Sequence, residues 1–187
     1  MVADLVWAAK SDAEILLRSL EPRWSHVSVV GSRAEVIEQV APAVAAAAWL
    51  HDVGYSPALV ATGLHALDGA LWCREQGYPD VVVSLVAHHT GASFEATERG
   101  LTNELARVPA PDGHLLDLLN YLDLTTGRSG QDVSAQDRVK EILGRYGPDS
   151  PVHKAVVRSG PDLLDSARRG EALFSQYEHA GRSRARG

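Results

Sequence analysis

Between Ala43 and Val53 the chain carries an almost unbroken apolar run, Ala45-Ala-Ala-Ala-Trp-Leu50, that closes on His51 and Asp52. A helix that is apolar on every side has no face to give to water, so it must sit at the centre of the molecule with other elements around it. That requirement constrains the fold more than any other segment does. It also puts an ionisable pair at the end of the most apolar helix. An ionised carboxylate is not stable there without a partner, because desolvation opposes it by several kcal/mol, of the order of ~5. A divalent cation would supply the missing charge.

The remaining punctuation predicts helices. Ser11-Asp-Ala-Glu14 is a capping-box pattern ahead of Ile15, Leu16 and Leu17. Pro22 suits the first turn of a helix through Val27, Val30 and Val36, although Gly31 and Ser32 weaken that pattern. Further helices are expected from His65 to Glu75, from Pro79 to about His89, and from Leu115 to Leu124. Residues 92–112 read as loop and short helix, and Thr125 to Asp132 as a Gly-containing loop. Ser134 caps a helix through Val139, Ile142 and Leu143, and Asp162 to about Tyr177 forms a last one. No stretch alternates with period two long enough for a sheet. The reading is an all-α, single-domain helical bundle over residues 1–187. The C-terminal helices, about 134–178, pack on the bundle or form a dimer surface.

Composition narrows the class. Apolar residues make up 45% and charged residues 22%, which excludes disorder and collagen. A formal net charge of −6 leaves no basic footprint for nucleic acid. The single cysteine, Cys73, excludes an internal disulfide and a cysteine-built zinc site. The N-terminus has Asp4 and no basic n-region, and no apolar run is long enough to span a bilayer, so a cytoplasmic protein is expected. Gly181 to Gly187 reads as a frayed basic tail.

Eight histidines are the unusual count. His114, His153 and His179 sit beside charged or loop residues and read as surface side chains. His26, His51, Asp52, His65, His88 and Asp123 fall on separate predicted helices, as a metal site in a helical bundle requires. His89 is a further candidate. Asp123 has a competing explanation, since Asp117, Asn120 and Asp123 recur at threes and could form one solvated stripe; Asp117 is expected to be solvated.

The order H…HD…H…H…D resembles the HD superfamily of metal-dependent phosphohydrolases. Arg23-Trp-Ser-His26 looks like its opening R-x-x-H, Leu50-His-Asp-Val-Gly54 like its central motif, and Tyr121-Leu-Asp123 like its closing aspartate. His65 in His-Ala-Leu-Asp-Gly69 and His88 in His-His-Thr-Gly91 resemble the two extra histidines of its binuclear members. The likeness covers about residues 22 to 130. It implies an HD-type bundle holding one or two divalent ions, iron, manganese, cobalt or zinc. His26, His51, Asp52 and Asp123 would hold the first, and His65 and His88 the second, with Asp52 bridging. The implied activity is hydrolysis of a phosphoester or phosphoanhydride of a nucleotide or related small molecule, with diadenosine tetraphosphate one candidate. Paired metals clamp a phosphoryl oxygen and lower the pKa of a bound water, and Asp52 would orient that water. Arg23 would pair with a phosphate, and Thr125, Thr126 and Arg128 would line the pocket; for His89 three roles are open, a further ligand, a general acid or, the preferred one, a phosphate contact. The family's lysine after the HD pair is missing; Tyr55 stands near its place and would donate a hydrogen bond instead. Two other readings use the same residues: an HD-fold diiron oxygenase, and a non-catalytic nucleotide-binding module. Possible partners are a small phosphorylated substrate and a second copy of the chain.

Overall fold

The computed structural model describes residues 2–184. In chain order the α-helices are α1 (Val2–Leu17), α2 (Arg23–Ala34), α3 (Pro42–Leu50), α4 (His65–Glu75) and α5 (Asp80–His88). They are followed by α6 (Ala92–Arg99), α7 (Thr102–Leu105), α8 (Gly113–Leu124), α9 (Ala135–Arg145) and α10 (Pro151–Arg184). One-turn 3-10 helices follow α2, α3 and α5, at Glu35–Ile37, Val53–Tyr55 and His89–Gly91. No strand occurs among the described residues; a single bridge between Thr126 and Asp132 closes the loop after α8. The protein is all-α.

Helix α3 is the axis. Every residue from Val44 to Leu50 is buried, and α1, α2, α5 and α8 pack on it. Each neighbour meets it with one stripe. In α1 the stripe is Val6, Ala9, Ala13 and Leu17, spaced three and four apart, while Trp7 and Ile15 face outward. That stripe is why α1 runs unbroken from Val2 through the Ser11 capping pattern: burial of one continuous face outweighs a local cap. In α2, Gly31 is a contact point, since a Cβ there would enter the Trp49 ring of α3. Its helix-weakening tendency is offset by the close crossing it permits. Val36, expected on the same helix, lies instead in the following 3-10 turn and is largely exposed.

Helix α10 is the largest departure from expectation. It begins at Pro151 rather than near Asp162 and runs through Pro161. Pro151 fits a first turn, where its missing N–H is no loss. Pro161 leaves the Val157 carbonyl without its helical donor, but Val157 is on the exposed side, within reach of water. The reward is a continuous face laid over α8, α6 and α9. Ser134 caps α9 by accepting from the Asp137 backbone N–H, as the sequence indicates. Residues 185–187 of the basic tail, and the side chains from Gly181 onward, lie outside the described residues, whereas the backbone through Arg184 is helical.

Candidate metal centre

Five elements converge at one end of α3. Helix α2 supplies Arg23 and His26, one turn apart. His51 continues the helical backbone of α3, whereas Asp52 leaves it at φ −105°, ψ 6°, which turns the two side chains apart. The 3-10 turn that follows packs directly on the start of α4, because Gly54 has no Cβ to strike the His65 carbonyl. That approach brings His65 to Asp52. His89 stands just beyond α5, and Asp123 lies in the last turn of α8.

Two groups result. His26, His51 and Asp123 have ligand atoms all within 4.8 Å of one another, and so do Asp52, His65 and His89. The Asp52 carboxylate lies between them. Its Oδ2 is 3.5 Å from His51 Nε2, and its Oδ1 is 3.4 Å from His65 Nε2 and 3.9 Å from His89 Nε2.

The histidine rings are set for a cation. Nδ1 of His26, His51 and His89 lies 3.1, 2.9 and 2.7 Å from the carbonyls of Gly127, Ala48 and Val86. A carbonyl oxygen accepts and never donates, so each Nδ1 carries the proton and a neutral ring turns a bare Nε2 lone pair inward. The inward atoms then meet one another: His26 and His51 at 3.3 Å, His65 and His89 at 3.3 Å, His26 and the Asp123 carboxylate at 3.0 Å. Acceptors held this close need a proton or a metal ion between them. Buried Nε2 and carboxylate donors with Nδ1 anchored on backbone carbonyls are the arrangement of metal-ligating histidine. The buried histidine–aspartate groups can hold a metal ion.

The charges agree. Burial, only partly opposed by Asp52, pushes His51 down to about 4 and His65 down to about 3, so both are neutral and free to ligate at neutral pH. Burial works against the Asp52 charge, but Arg23 first, then His51, His65 and His26, hold it far below the usual carboxylate range. Asp123 is likewise held well below it, against burial, by the adjacent His26 and then by the nearby His51. Arg23 loses solvation, yet its pairing with Asp52 raises it above its ordinary value. Tyr55 is pushed up by burial and by Asp52, and stays a phenol.

A second set of contacts holds Asp123. Thr90 donates its hydroxyl to Asp123 Oδ2 and its N–H to Asn120 Oδ1 at 2.8 Å. Thr90 sits at φ 44°, a left-handed conformation disfavoured for a β-branched residue and kept by these bonds. Asn120 donates to Ser166 of α10, which donates to Asp117, itself clasped by Arg169 at 2.7 and 2.8 Å. Asp117, expected to be solvated, is therefore part of a buried network that α10 covers, and it is 6% exposed; the competing reading of a solvated stripe does not hold.

His88 does not join the cluster. It is the last residue of α5, and its Nε2 donates to the Val108 carbonyl at 2.9 Å, away from Asp52. The backbone turns at the next residue, to φ −61°, ψ 154°, and it is His89 that faces His65 and Asp52. Adjacent residues at a helix end point in different directions, and the structure brings His89 to Asp52 and His65 where the sequence reading expected His88. His89 thus stands in one of the two groups that could hold an ion, in keeping with the ligand role among the three open to it. Thr125 is not in this cavity either. It is bonded to Arg33 and the Tyr121 carbonyl and lines a different groove. Thr126 is fully buried and takes a second bond from Arg33. That groove, about 850 Å³, is the most voluminous described but contains none of the ligand groups, so chemistry rather than size locates the site.

Over Asp52, His65, His89 and Asp123 lies a small cavity of about 70 Å³. It adjoins a recess of about 420 Å³ with Arg128 in its wall. Arg23, Tyr55, Arg138, Arg145 and Tyr146 line both. Arg138, Arg145 and Tyr146, at α9 and its end, come from the segment in which the sequence suggests no chemistry. Their signal was present: Arg138, Ile142 and Arg145 share a face of α9, so two arginines lie on its apolar side. His114 and His179 are exposed as expected, and His153 caps the end of α9 by donating to backbone carbonyls.

No family model matches this chain, and comparison with curated proteins and with solved structures found no match. Fold and site therefore define the class by themselves: an all-α protein with a buried histidine–aspartate centre able to hold metal.

Proposed function

We propose that the chain is a metal-dependent phosphohydrolase of the HD type, cleaving a phosphoester or phosphoanhydride of a nucleotide or related small molecule. The observation that carries this reading is Asp52, one carboxylate set between two histidine groups whose Nε2 atoms face inward. His26, His51 and Asp123 would hold one divalent ion, His65 and His89 a second, and Asp52 would serve both. Two ions so held supply Lewis acidity toward a phosphoryl oxygen and a lowered pKa for water.

The chain's own groups supply the rest. The Arg23 guanidinium is stacked over the Tyr55 ring at 3.9 Å, and one of its nitrogens is occupied by Asp52. Its other N–H groups can pair with phosphoryl oxygens in a fixed plane. The Tyr55 ring is stacked on His65 at 4.1 Å, which fixes both rings. Because Tyr55 remains protonated, its hydroxyl can donate to an anionic substrate, in the role the missing lysine would otherwise take. Thr90 keeps Asp123 from rotating. The narrow cavity limits how much water reaches Asp52.

The test is metal content per chain, measured by mass spectrometry on protein purified without chelator or affinity-tag metal, followed by a panel of nucleotides and phosphoesters. About two equivalents, and turnover that Asp52→Asn abolishes, are expected. No metal after reconstitution, or no turnover with iron, manganese, cobalt or zinc, overturns the reading. Oxygen consumption by iron-loaded protein that hydrolyses nothing would replace it with the oxygenase alternative.

A further inference from the structure

We infer that the recess beside the metal centre is a subsite for a phosphoanhydride chain, so that the substrate carries at least one phosphate beyond the one that reacts. The inference rests on the hydrolase reading for the position of the reacting phosphoryl group.

Charge is the first ground. The chain as a whole is formally −6. Yet Arg23, Arg128, Arg138 and Arg145 all line this one recess, and Glu21 is the carboxylate among its lining residues. Glu21 is engaged with the Ser25 hydroxyl at 2.6 Å. Glu141, which is not among the lining residues, is shared between Arg138 and Arg145, so two guanidiniums draw on a single carboxylate. A concentration of positive charge against the sign of the whole molecule focuses anions into a cleft.

A buried donor is the second ground. Arg138 is 5% exposed, gives one nitrogen to Glu141, and has its Nε–H buried with no hydrogen-bond partner among the described residues. A desolvated charged donor without a partner is costly, and it is found where a ligand completes it. Arg138 borders both the small cavity and the recess, so its side chain stands where the two join.

Size is the third. The cavity over the ligand groups is small, about 70 Å³, whereas the recess, about 420 Å³, falls within the roughly 300–1,000 Å³ of small-molecule sites. A phosphoryl group at Asp52 would therefore have the rest of its chain extending past Arg23 and Arg138 toward Arg145 and Arg128. Guanidinium forks suit successive phosphates, each presenting paired oxygens.

The test is calorimetric titration of protein as purified, with its metal content measured before and after. The probes are tripolyphosphate, orthophosphate and adenosine triphosphate. Tripolyphosphate is expected to bind at least roughly tenfold tighter than orthophosphate. Arg138→Gln and Arg145→Gln should each weaken tripolyphosphate roughly ten- to a hundredfold and orthophosphate less than about threefold. Arg168→Gln, the same charge change on the outer face of α10, should alter neither by more than about twofold. If Arg138→Gln does not fold, Arg145→Gln and Arg128→Gln decide. Equal affinity for the two phosphates, or equal losses for both, overturns the inference even if phosphomonoesters are hydrolysed. Retained preference and arginine dependence in a protein that hydrolyses nothing sinks the hydrolase reading and leaves the subsite. Tighter binding of adenosine triphosphate than of tripolyphosphate supports a nucleoside at the far end, and equal affinities support the bare chain.

Discussion

His88 and His89 differ by one position and by everything that matters to the site. His88 donates to a backbone carbonyl at the end of the 92–112 segment, and His89 turns its bare Nε2 toward Asp52. The two alanine variants should therefore separate cleanly. His89→Ala is expected to lose about one of two metal equivalents. His88→Ala should keep its metal but lose about 1–2 kcal/mol of stability, since the Val108 carbonyl is left without its donor. Metal analysis with chemical denaturation checks both, and metal loss in His88→Ala would contradict the geometry. Titration gives a second expectation. Unfolded, His51 and His65 take up protons below their ordinary 6.5; folded, they do so at about 4 and about 3. The unfolded state binds more protons in that window, so the metal-free protein loses stability as pH falls from about 6.5. Asp52 and Asp123, held low in the fold, extend the loss below their ordinary 3.8. At the other end burial pushes the Cys73 thiol from 9.0 up to about 12, so stability declines again above about pH 9. Melting temperature against pH should show a plateau between these limits, and a flat profile from neutral down to about pH 4 would refute the burial of these rings.

Among the elements, the crossing of α2 on α3 has the least room for change. Gly31 lies where a side chain would enter the Trp49 ring, and that ring is almost wholly buried. Gly31→Ala improves helix propensity by about 1 kcal/mol yet should destabilise the protein overall by about 1–3 kcal/mol, because the overpacking term is larger. The denaturation midpoint measures this, and a stabilised variant would mean that the helices can separate freely. The crossing also carries His26, so the variant should weaken metal retention along with stability. Helix α10 works differently, acting as a cover. It seals the Asp117–Asn120–Asp123 edge of α8 through Ser166 and Arg169, and so turns a polar stripe into the support of a ligand group.

Over the whole molecule, the candidate metal centre joins α2, α3, α4, α8 and the turn after α5, so an ion bound there would contribute folding energy. Chelation should lower the melting temperature, and metal at about a hundred times its dissociation constant should raise it by roughly 5–10 °C for a chain of this length. A melting temperature indifferent to metal would place the ligand groups outside any real site. The all-α architecture was legible in the chain, down to α4, whose limits at His65 and Glu75 match the sequence expectation. So was the centre of the bundle, since an apolar helix has nowhere else to go. Residue types and order also named His26, His51, Asp52, His65 and Asp123, because desolvation makes buried ionisable groups conspicuous in apolar surroundings. Which of two neighbouring histidines faces the site depended on a single backbone turn after α5, which local sequence does not encode. The burial of the α8 stripe and the arrival of Arg138 and Arg145 depended on where α9 and α10 dock, and docking is set by the summed fit of distant surfaces. The sequence thus determined the helices, the core and the chemical inventory; only tertiary packing decided how those groups are aimed.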